Sequence, residues 1–374
     1  MLRYLTSGES HGKCMLTILD GVPSGLRVDK AEIDRELRRR MLGYGRGKRM
    51  AIESDRIQML SGLRKSVTIG SPIAMMVENV DQSIDALPIV LHPRPGHADL
   101  AGALKYGLTD MRSVLERASA RETVARVGVG AVCKMLLAEF GIMVTSHVIV
   151  IGHIAAETRG FSFNQIVQKT AKSPVRCADK ASSKLMCMEI ENASRDRDTL
   201  GGAFEVIVKG VPPGLGSYTQ WDRRMDGRLA ASVMSIQAIK GVSFGLGFEA
   251  AILRGSKVHD EIFWSKPKGF FRKTNNAGGL EGGMTNGEDI VLQAVMKPIS
   301  TLRKPLASVN IKTKKSMKAS VERSDVCAVP AAGVVAESAV AVEVANAMIE
   351  KFGGDSLGEM RRNYEGYIKQ VRKF

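Results

Sequence analysis

The stretch Phe204-Glu205-Val206-Ile207-Val208-Lys209-Gly210-Val211-Pro212-Pro213-Gly214 reads as a strand followed by the turn that ends it. Phe204, Val206 and Val208 recur at the two-residue period of a pleated strand, and Pro212-Pro213-Gly214 stops it. Val144 to Ile154 is a second β-branched run. Val67-Thr68-Ile69 turns at Gly70-Ser71-Pro72 into Ile73–Val77, the pattern of a hairpin. Between these runs lie segments of helical period. Asp29 and Glu32 form a capping box before a helix over 30–41, with Ile33 and Leu37 one turn apart and Gly43 near its end. Thr123 to Phe140 places Val124, Val127, Val132, Met135 and Leu136 on a helix stopped by Gly141. A third helix is expected from Arg228 to Lys240. A fourth runs from about Ala331 to Lys351, closed by Gly353 and Gly354. Hairpins set between a few long helices indicate an α+β protein with antiparallel sheet. No composition break marks a linker, so residues 1–374 are expected to form one domain.

Composition narrows the function. The chain carries 54 basic and 39 acidic residues, a formal net charge of +15. Seven basic residues fall between Arg35 and Arg49, and six more between Arg303 and Lys318. Single-strand nucleic-acid sites interleave aromatic rings with such charge, and here the first group offers only Tyr44 and the second none. Phosphate or carboxylate recognition fits better than nucleic acid. The 5 cysteines are odd in number and widely spaced, without a zinc pattern, which points to a reduced, cytoplasmic protein with no metal. The amino terminus has no signal core, and the Ala-rich segment near 328–348 is interrupted by Glu337 and Glu343, so no membrane span is expected.

Chemistry concentrates in two loops. Gly8-Glu9-Ser10-His11-Gly12 and Arg94-Pro95-Gly96-His97-Ala98-Asp99 each set a histidine among small or turn-forming residues beside a carboxylate. Histidine exchanges a proton near neutral pH, and flanking glycines let backbone approach a ligand. One such loop is an ordinary surface turn; two, in a chain with 6 histidines and a large basic excess, are not. Arg117-Ala118-Ser119-Ala120-Arg121-Glu122-Thr123 precedes the second helix, where backbone N–H groups and guanidinium donors can meet an anion. Asn275 to Gly283 is a glycine-rich turn able to wrap a planar ring. Lys297-Pro298-Ile299-Ser300-Thr301 supplies a cation and two hydroxyls, and Arg323-Ser324-Asp325 pairs an arginine with a carboxylate. Each of these alone is more often a surface turn. No Gly-x-Gly-x-x-Gly follows a strand, so a dinucleotide fold of that type is unsupported.

In this order, and joined by Asp198–Gly202 and Ser235–Gly241, the motifs resemble those of chorismate synthase from near the first residue to about residue 345. The resemblance implies the family's β-α-β sandwich of antiparallel sheets and long helices. It implies 1,4-elimination of phosphate from 5-enolpyruvylshikimate-3-phosphate to give chorismate, with reduced FMN (FMNH2) as cofactor and no net redox change. By similarity His11 protonates the departing phosphate and His97 protonates or holds the reduced flavin. Asp325 assists proton transfer near flavin N5 or orients Arg323, with Ser10 and Ser119 as relays. FMN contacts carry over to Arg117, Ala118, Ser119, Gln237, Ala238, Gly282, Lys297, Pro298, Ile299, Ser300, Thr301 and Arg323. Arg40 and Arg46 match arginines associated with NADPH or the anionic substrate, the second being the better physical fit. Ser324 and Val326 stand where many relatives carry His and Pro, Ala118 replaces a common Ser, and Gln237 a common Asn. The resemblance further implies a homotetramer, and the lack of a reductase segment favours an external flavin reductase as the source of electrons.

Overall fold

The computed structural model of the chain describes residues 1–47, 55–322 and 324–374. Among the described residues, the helices of seven residues or more are Lys30–Met41 (α1), Asp99–Tyr106 (α2), Arg112–Ala118 (α3), Thr123–Ala138 (α4), Phe163–Thr170 (α5), Lys180–Arg195 (α6), Met225–Met234 (α7), Val329–Phe352 (α8) and Leu357–Lys373 (α9). A four-stranded antiparallel sheet has the order Arg3–Ser7, Cys14–Asp20, Ile73–Glu78, Gln58–Met59. A five-stranded antiparallel sheet runs Ile239–Phe244, Ile290–Met296, Gly202–Lys209, Met143–Ile151, Ile154–Ala155. The protein is therefore α+β.

The opening strand occupies Gly202–Lys209, and Phe204, Val206 and Val208 are each fully buried. That strand and Met143–Ile151 pack on α8, while α4 packs against Cys14–Asp20 and Ile73–Glu78. α4 and α8 meet each other in between. Small residues permit the close crossing: a Cβ added at Gly130 of α4 would lie 2.2 Å from Ser338 Cβ of α8. α1 starts at Lys30 as expected, Asp29 accepting from the Ala31 N–H, but no capping box forms because Glu32 pairs with Arg35; Ile33 and Leu37 are fully buried.

Several expectations need correction. Val67-Thr68 and Ile73–Glu78 do not pair with each other. Val67-Thr68 pairs with Leu63–Arg64, and the Thr68 N–H donates to Leu26 O, while Ile73–Glu78 joins Cys14–Asp20. The apolar runs were right, but a long-range partner outcompeted the local turn. The third helix ends at Met234, and Ile239 to Phe244 is a strand, because Ala238 adopts φ +67° and turns the chain. The Val144–Ile154 run is broken after Ile151, Gly152 taking φ +57° in a tight turn. α2, α3, α5, α6 and α9 were not foreseen.

The 24 residues of α8 are long and apolar enough to cross a membrane by length and composition, contrary to expectation. Within the fold 89% of its apolar window is buried against protein, as in a core helix. Glu337, which interrupts the run, is fully buried and accepts from Arg39, Lys134, Arg176 and the Ser146 hydroxyl. Burial pushes its carboxyl up, but Arg39, Lys134 and Arg176 outweigh burial and hold it well below the usual carboxylate range. The folded state thus binds fewer protons than the unfolded chain. Its stabilisation is present above the unfolded glutamate value of about 4.3 and is lost as pH falls through the folded value. Glu337→Gln should cost about 3–5 kcal/mol, since three cations lose the buried carboxylate they surround. Urea denaturation at pH 7 checks this, and a loss below about 1 kcal/mol contradicts it.

Candidate active site

Loop 8–13 connects the paired strands Arg3–Ser7 and Cys14–Asp20. Gly8 takes φ +107°, and a Cβ there would lie 2.1 Å from Cys14 O, so only glycine closes the loop. Asn79 Nδ2 donates to Glu9 O at 3.0 Å and Gly12 O at 2.8 Å, fixing its shape. The sequence neighbour Glu9 is not the partner of His11. Glu116 of α3 is: its Oε2 accepts from the His11 backbone N–H at 2.9 Å and lies 2.8 Å from Nδ1. Burial pushes the Glu116 carboxyl up, but hydrogen bonds from His11 and the nearby Arg112 lower it overall. An ionised acceptor places the proton of the neutral ring on Nδ1. Asp81 Oδ2 lies 3.9 Å from Nε2. Glu116 stands one residue before the Arg117 motif, and nothing in its local pattern announced the role.

His97 repeats the arrangement with a partner visible in its own motif. Its Nδ1 is 2.6 Å from Asp99 Oδ1, and Arg94 donates to Asp99 through Nε at 2.8 Å and Nη2 at 3.0 Å. Asp99 is fully buried at the start of α2. Burial opposes its charge, yet His97 and Arg94 hold the carboxyl well below the usual range.

Three further motifs assemble around these loops. Lys297 Nζ donates to Gly96 O at 2.7 Å and to Ser300 Oγ at 3.0 Å, and Ser300 Oγ donates to Gly96 O at 2.9 Å. Arg94 Nη1 donates to Thr301 Oγ1 at 2.8 Å, and Ile299 O accepts from Thr199 Oγ1. Pro298 lies against Gly201. Burial pushes the Lys297 ammonium down, and Lys240 adds to this by repulsion. The Lys297 N–H donates to Ala238 O at 2.9 Å, which brings Gln237 and Ala238 to the same place. Gln237 Nε2 donates to Glu122 Oε2 at 3.1 Å, while its Oε1 is buried without a partner among the described residues.

The Arg117–Thr123 segment was expected to precede a helix. It does: Arg117 and Ala118 end α3, and Ser119 caps a 3₁₀ turn over Ala120–Glu122 that leads into α4 at Thr123. Arg117 donates to Gly8 O and Thr6 O, and Ser119 Oγ donates to Ser10 Oγ at 3.2 Å. This segment therefore ties the His11 loop to Gln237 through Glu122.

The basic residues are held in a network the sequence did not reveal. Arg40 is buried and donates to Thr123 Oγ1, Ala120 O and Asp55. Burial pushes its guanidinium down to about 10, leaving it charged at neutral pH. Arg121 donates to Asp55 Oδ1 at 2.6 Å and to Asn79 Oδ1 at 2.8 Å. Arg46 Nη1 lies 2.6 Å from Asp325 Oδ2, and the Gly47 N–H donates to Asp325 Oδ1 at 2.6 Å. Ser324 Oγ donates to Thr301 O, which links Asp325 to the Lys297–Thr301 turn. Arg323, Lys48 and Arg49 lie outside the described residues. No hydrogen bond among the described residues ties Gly282 to either histidine loop. It turns at φ +57° between Leu280–Glu281 and Met284–Thr285. Gly278 and Gly279 are packed against Gly245 and Asp289, so much of the glycine-rich turn is internal.

Two imidazoles with carboxylate-fixed tautomers, several cations and an unpaired buried amide oxygen suit proton transfer on an anionic substrate. The family model for chorismate synthase matches residues 2–349. The chain belongs to the chorismate synthase family. Chorismate synthase of Symbiobacterium thermophilum is 54% identical, with 100% of both chains covered, and that of Bacillus subtilis is 53% identical with the same coverage. A crystal structure of chorismate synthase superposes with a TM-score of 0.83 at 43% identity, covering 100% of this chain and 99% of the other. The reaction is that of a carbon–oxygen lyase: 1,4-elimination of phosphate from 5-enolpyruvylshikimate-3-phosphate to chorismate, the last step of the shikimate pathway.

Proposed function

We propose that this chain carries out the chorismate synthase elimination with reduced FMN, using His11 and His97 as its proton-handling groups. The observation that carries this reading is the convergence of the histidine loops, one through Ser10–Ser119 and Glu122–Gln237, the other through Gly96–Lys297. The residues fit a flavin: Gln237 Oε1 is buried without a partner among the described residues, as an acceptor awaiting an N–H would be. Arg117, Ala118, Ser119, Gln237, Ala238, Lys297, Pro298, Ile299, Ser300 and Thr301 would hold it, with Arg323 and Gly282 completing the set. When bound there, reduced FMN would supply electron density to the allylic system that loses phosphate.

The chain's own residues supply the rest. His11 delivers the proton on Nε2 to the departing phosphate, its ring held by Glu116 through Nδ1. His97, oriented by Asp99, holds a proton toward the flavin side. Ser10 and Ser119, joined by a hydrogen bond, serve as proton relays. Arg40 and Arg46 supply positive charge for the substrate anions, or for NADPH. The chain forms one domain over 1–374, folds as a β-α-β sandwich with α4 and α8 between the two larger sheets, and assembles as a cytoplasmic homotetramer. An external flavin reductase supplies the reduced cofactor, and neither nucleic acid nor membrane is a partner. Retention of FMN on gel filtration in the presence of substrate tests the reading. Failure to retain it would contradict the flavin assignment.

Asp325 has a specific expectation. Both its oxygens are engaged, one by Arg46 and one by Gly47. Asp325→Asn should therefore raise KM for the substrate and lower kcat/KM by about 10-fold, with kcat changed less, as loss of a binding contact does. A fall in kcat at unchanged KM identifies proton transfer by Asp325 instead. Wild-type kinetics contradict both roles.

A further inference from the structure

A cleft of about 900 Å³ opens between α1, α4, α5 and the start of strand Met143–Ile151, at the opposite end of α4 from the histidine loops. Met135, Phe163, Val167 and Ala171 make part of its wall apolar, the Arg35–Glu32 ion pair and Asn164 also line it, and its floor carries Arg39, Lys134 and Arg176. The volume suits a small organic ligand, and apolar walls with a few convergent polar groups are how such ligands are held. The charge on the floor does not balance. Three cations meet two carboxylates, Glu36 and Glu337, leaving one positive charge over. Arg39 and Lys134 are both spent on these carboxylates. Arg176 is not fully spent. Its Nη2 donates to Glu337 and to Ser146 O, but its buried Nε has no partner among the described residues. The Arg176 side chain is only 11% exposed, so water does not readily replace that partner. Its backbone sits at φ +56°, a conformation rare for a residue with a side chain, and the fold maintains it at the cleft.

We infer that this cleft is a second ligand site, for a small monocarboxylate with a ring-shaped apolar body, its carboxylate on Arg176 and its ring against Met135, Phe163 and Val167. One surplus charge matches a monoanion better than a phosphate dianion. A carboxylate in the cleft meets Arg176 through Nη1, which makes no hydrogen bond among the described residues, while Nε stays enclosed. The site is separate from the elimination chemistry and does not depend on the flavin reading.

The test uses 4-fluorobenzoate followed by ¹⁹F NMR on the full chain without flavin. The probe should bind with a dissociation constant below about 5 mM, in keeping with its size. The uncharged 4-fluorobenzyl alcohol should bind at least about 10-fold more weakly, since it leaves the surplus charge uncompensated. In protein carrying ¹³C-methyl methionine, the Met135 and Met143 signals should shift with the probe; both residues line the cleft. Val167→Trp, which fills the cleft from α5, should weaken binding at least about 10-fold. No binding at 10-fold above that concentration (about 50 mM), equal binding of the alcohol, or binding that leaves Met135 and Met143 unmoved overturns the inference. The last two readouts use the unaltered chain and stand even if Val167→Trp does not fold.

Discussion

His11→Ala is expected to lower kcat by about 10²–10⁴-fold, the contribution of a positioned general acid. The fold should survive, because the loop is shaped by Gly8, by the Gly12 N–H donating to Glu9 O, and by Asn79, none of which needs the imidazole. Glu116 keeps the His11 backbone N–H and Arg112 Nη1 at 3.5 Å, so its carboxylate is not stranded. The loss should therefore fall on kcat, with KM for the substrate changed by no more than a few-fold. Steady-state assay with saturating reduced FMN checks this. Turnover within 3-fold of the parent removes His11 from proton delivery.

His97→Ala is expected to lower kcat by at least about 10-fold and up to 10⁴-fold, again within the range for acid–base groups. The site around it is more tightly bound than the His11 loop. Asp99 loses one of its two counter-groups but keeps Arg94 through two hydrogen bonds, and Arg94 keeps Thr301. Asp99 is held well below the usual carboxylate range by His97 and Arg94 against its burial. The folded chain thus binds fewer protons there, and the stabilisation is present above the unfolded Asp value near 3.9 and lost as pH falls below it. Removing His97 should make stability less sensitive to acid below the unfolded Asp value near 3.9, since the folded carboxyl is then less depressed and part of that linkage is gone. Kinetics at pH 7 and urea midpoints across this range read both effects. Unchanged kcat contradicts the catalytic role, whatever happens to stability.

Much of this architecture was legible in local pattern. α1 starts and ends where Asp29, Ile33 and Leu37 place it, and α4 and α8 lie within two residues of their apolar stripes. Phe204, Val206 and Val208 face the core as their spacing indicated. What failed was pairing. Gly70-Ser71-Pro72 looked like a hairpin turn, but Ile73–Glu78 found Cys14–Asp20 more than fifty residues away. Ile236 and Ile239 continued the helical stripe of α7 on paper, yet the positive φ of Ala238 sends Ile239 into a strand. The candidate site shows the same division. Asp99 is two residues from His97 and was visible in its motif, whereas Glu116 reaches His11 from a separate helix, and Asp55 reaches Arg40 and Arg121 from a distant segment. Only folding brings those carboxylates together with their partners.

The elimination proposed above needs reduced flavin yet consumes no reductant. An anaerobic assay supplies chemically reduced FMN and 5-enolpyruvylshikimate-3-phosphate, omits NADPH, and follows chorismate and flavin absorbance together. Many chorismate molecules should form per FMN while the flavin remains reduced at the end. Absence of chorismate, or one flavin oxidised for each chorismate formed, would contradict the account.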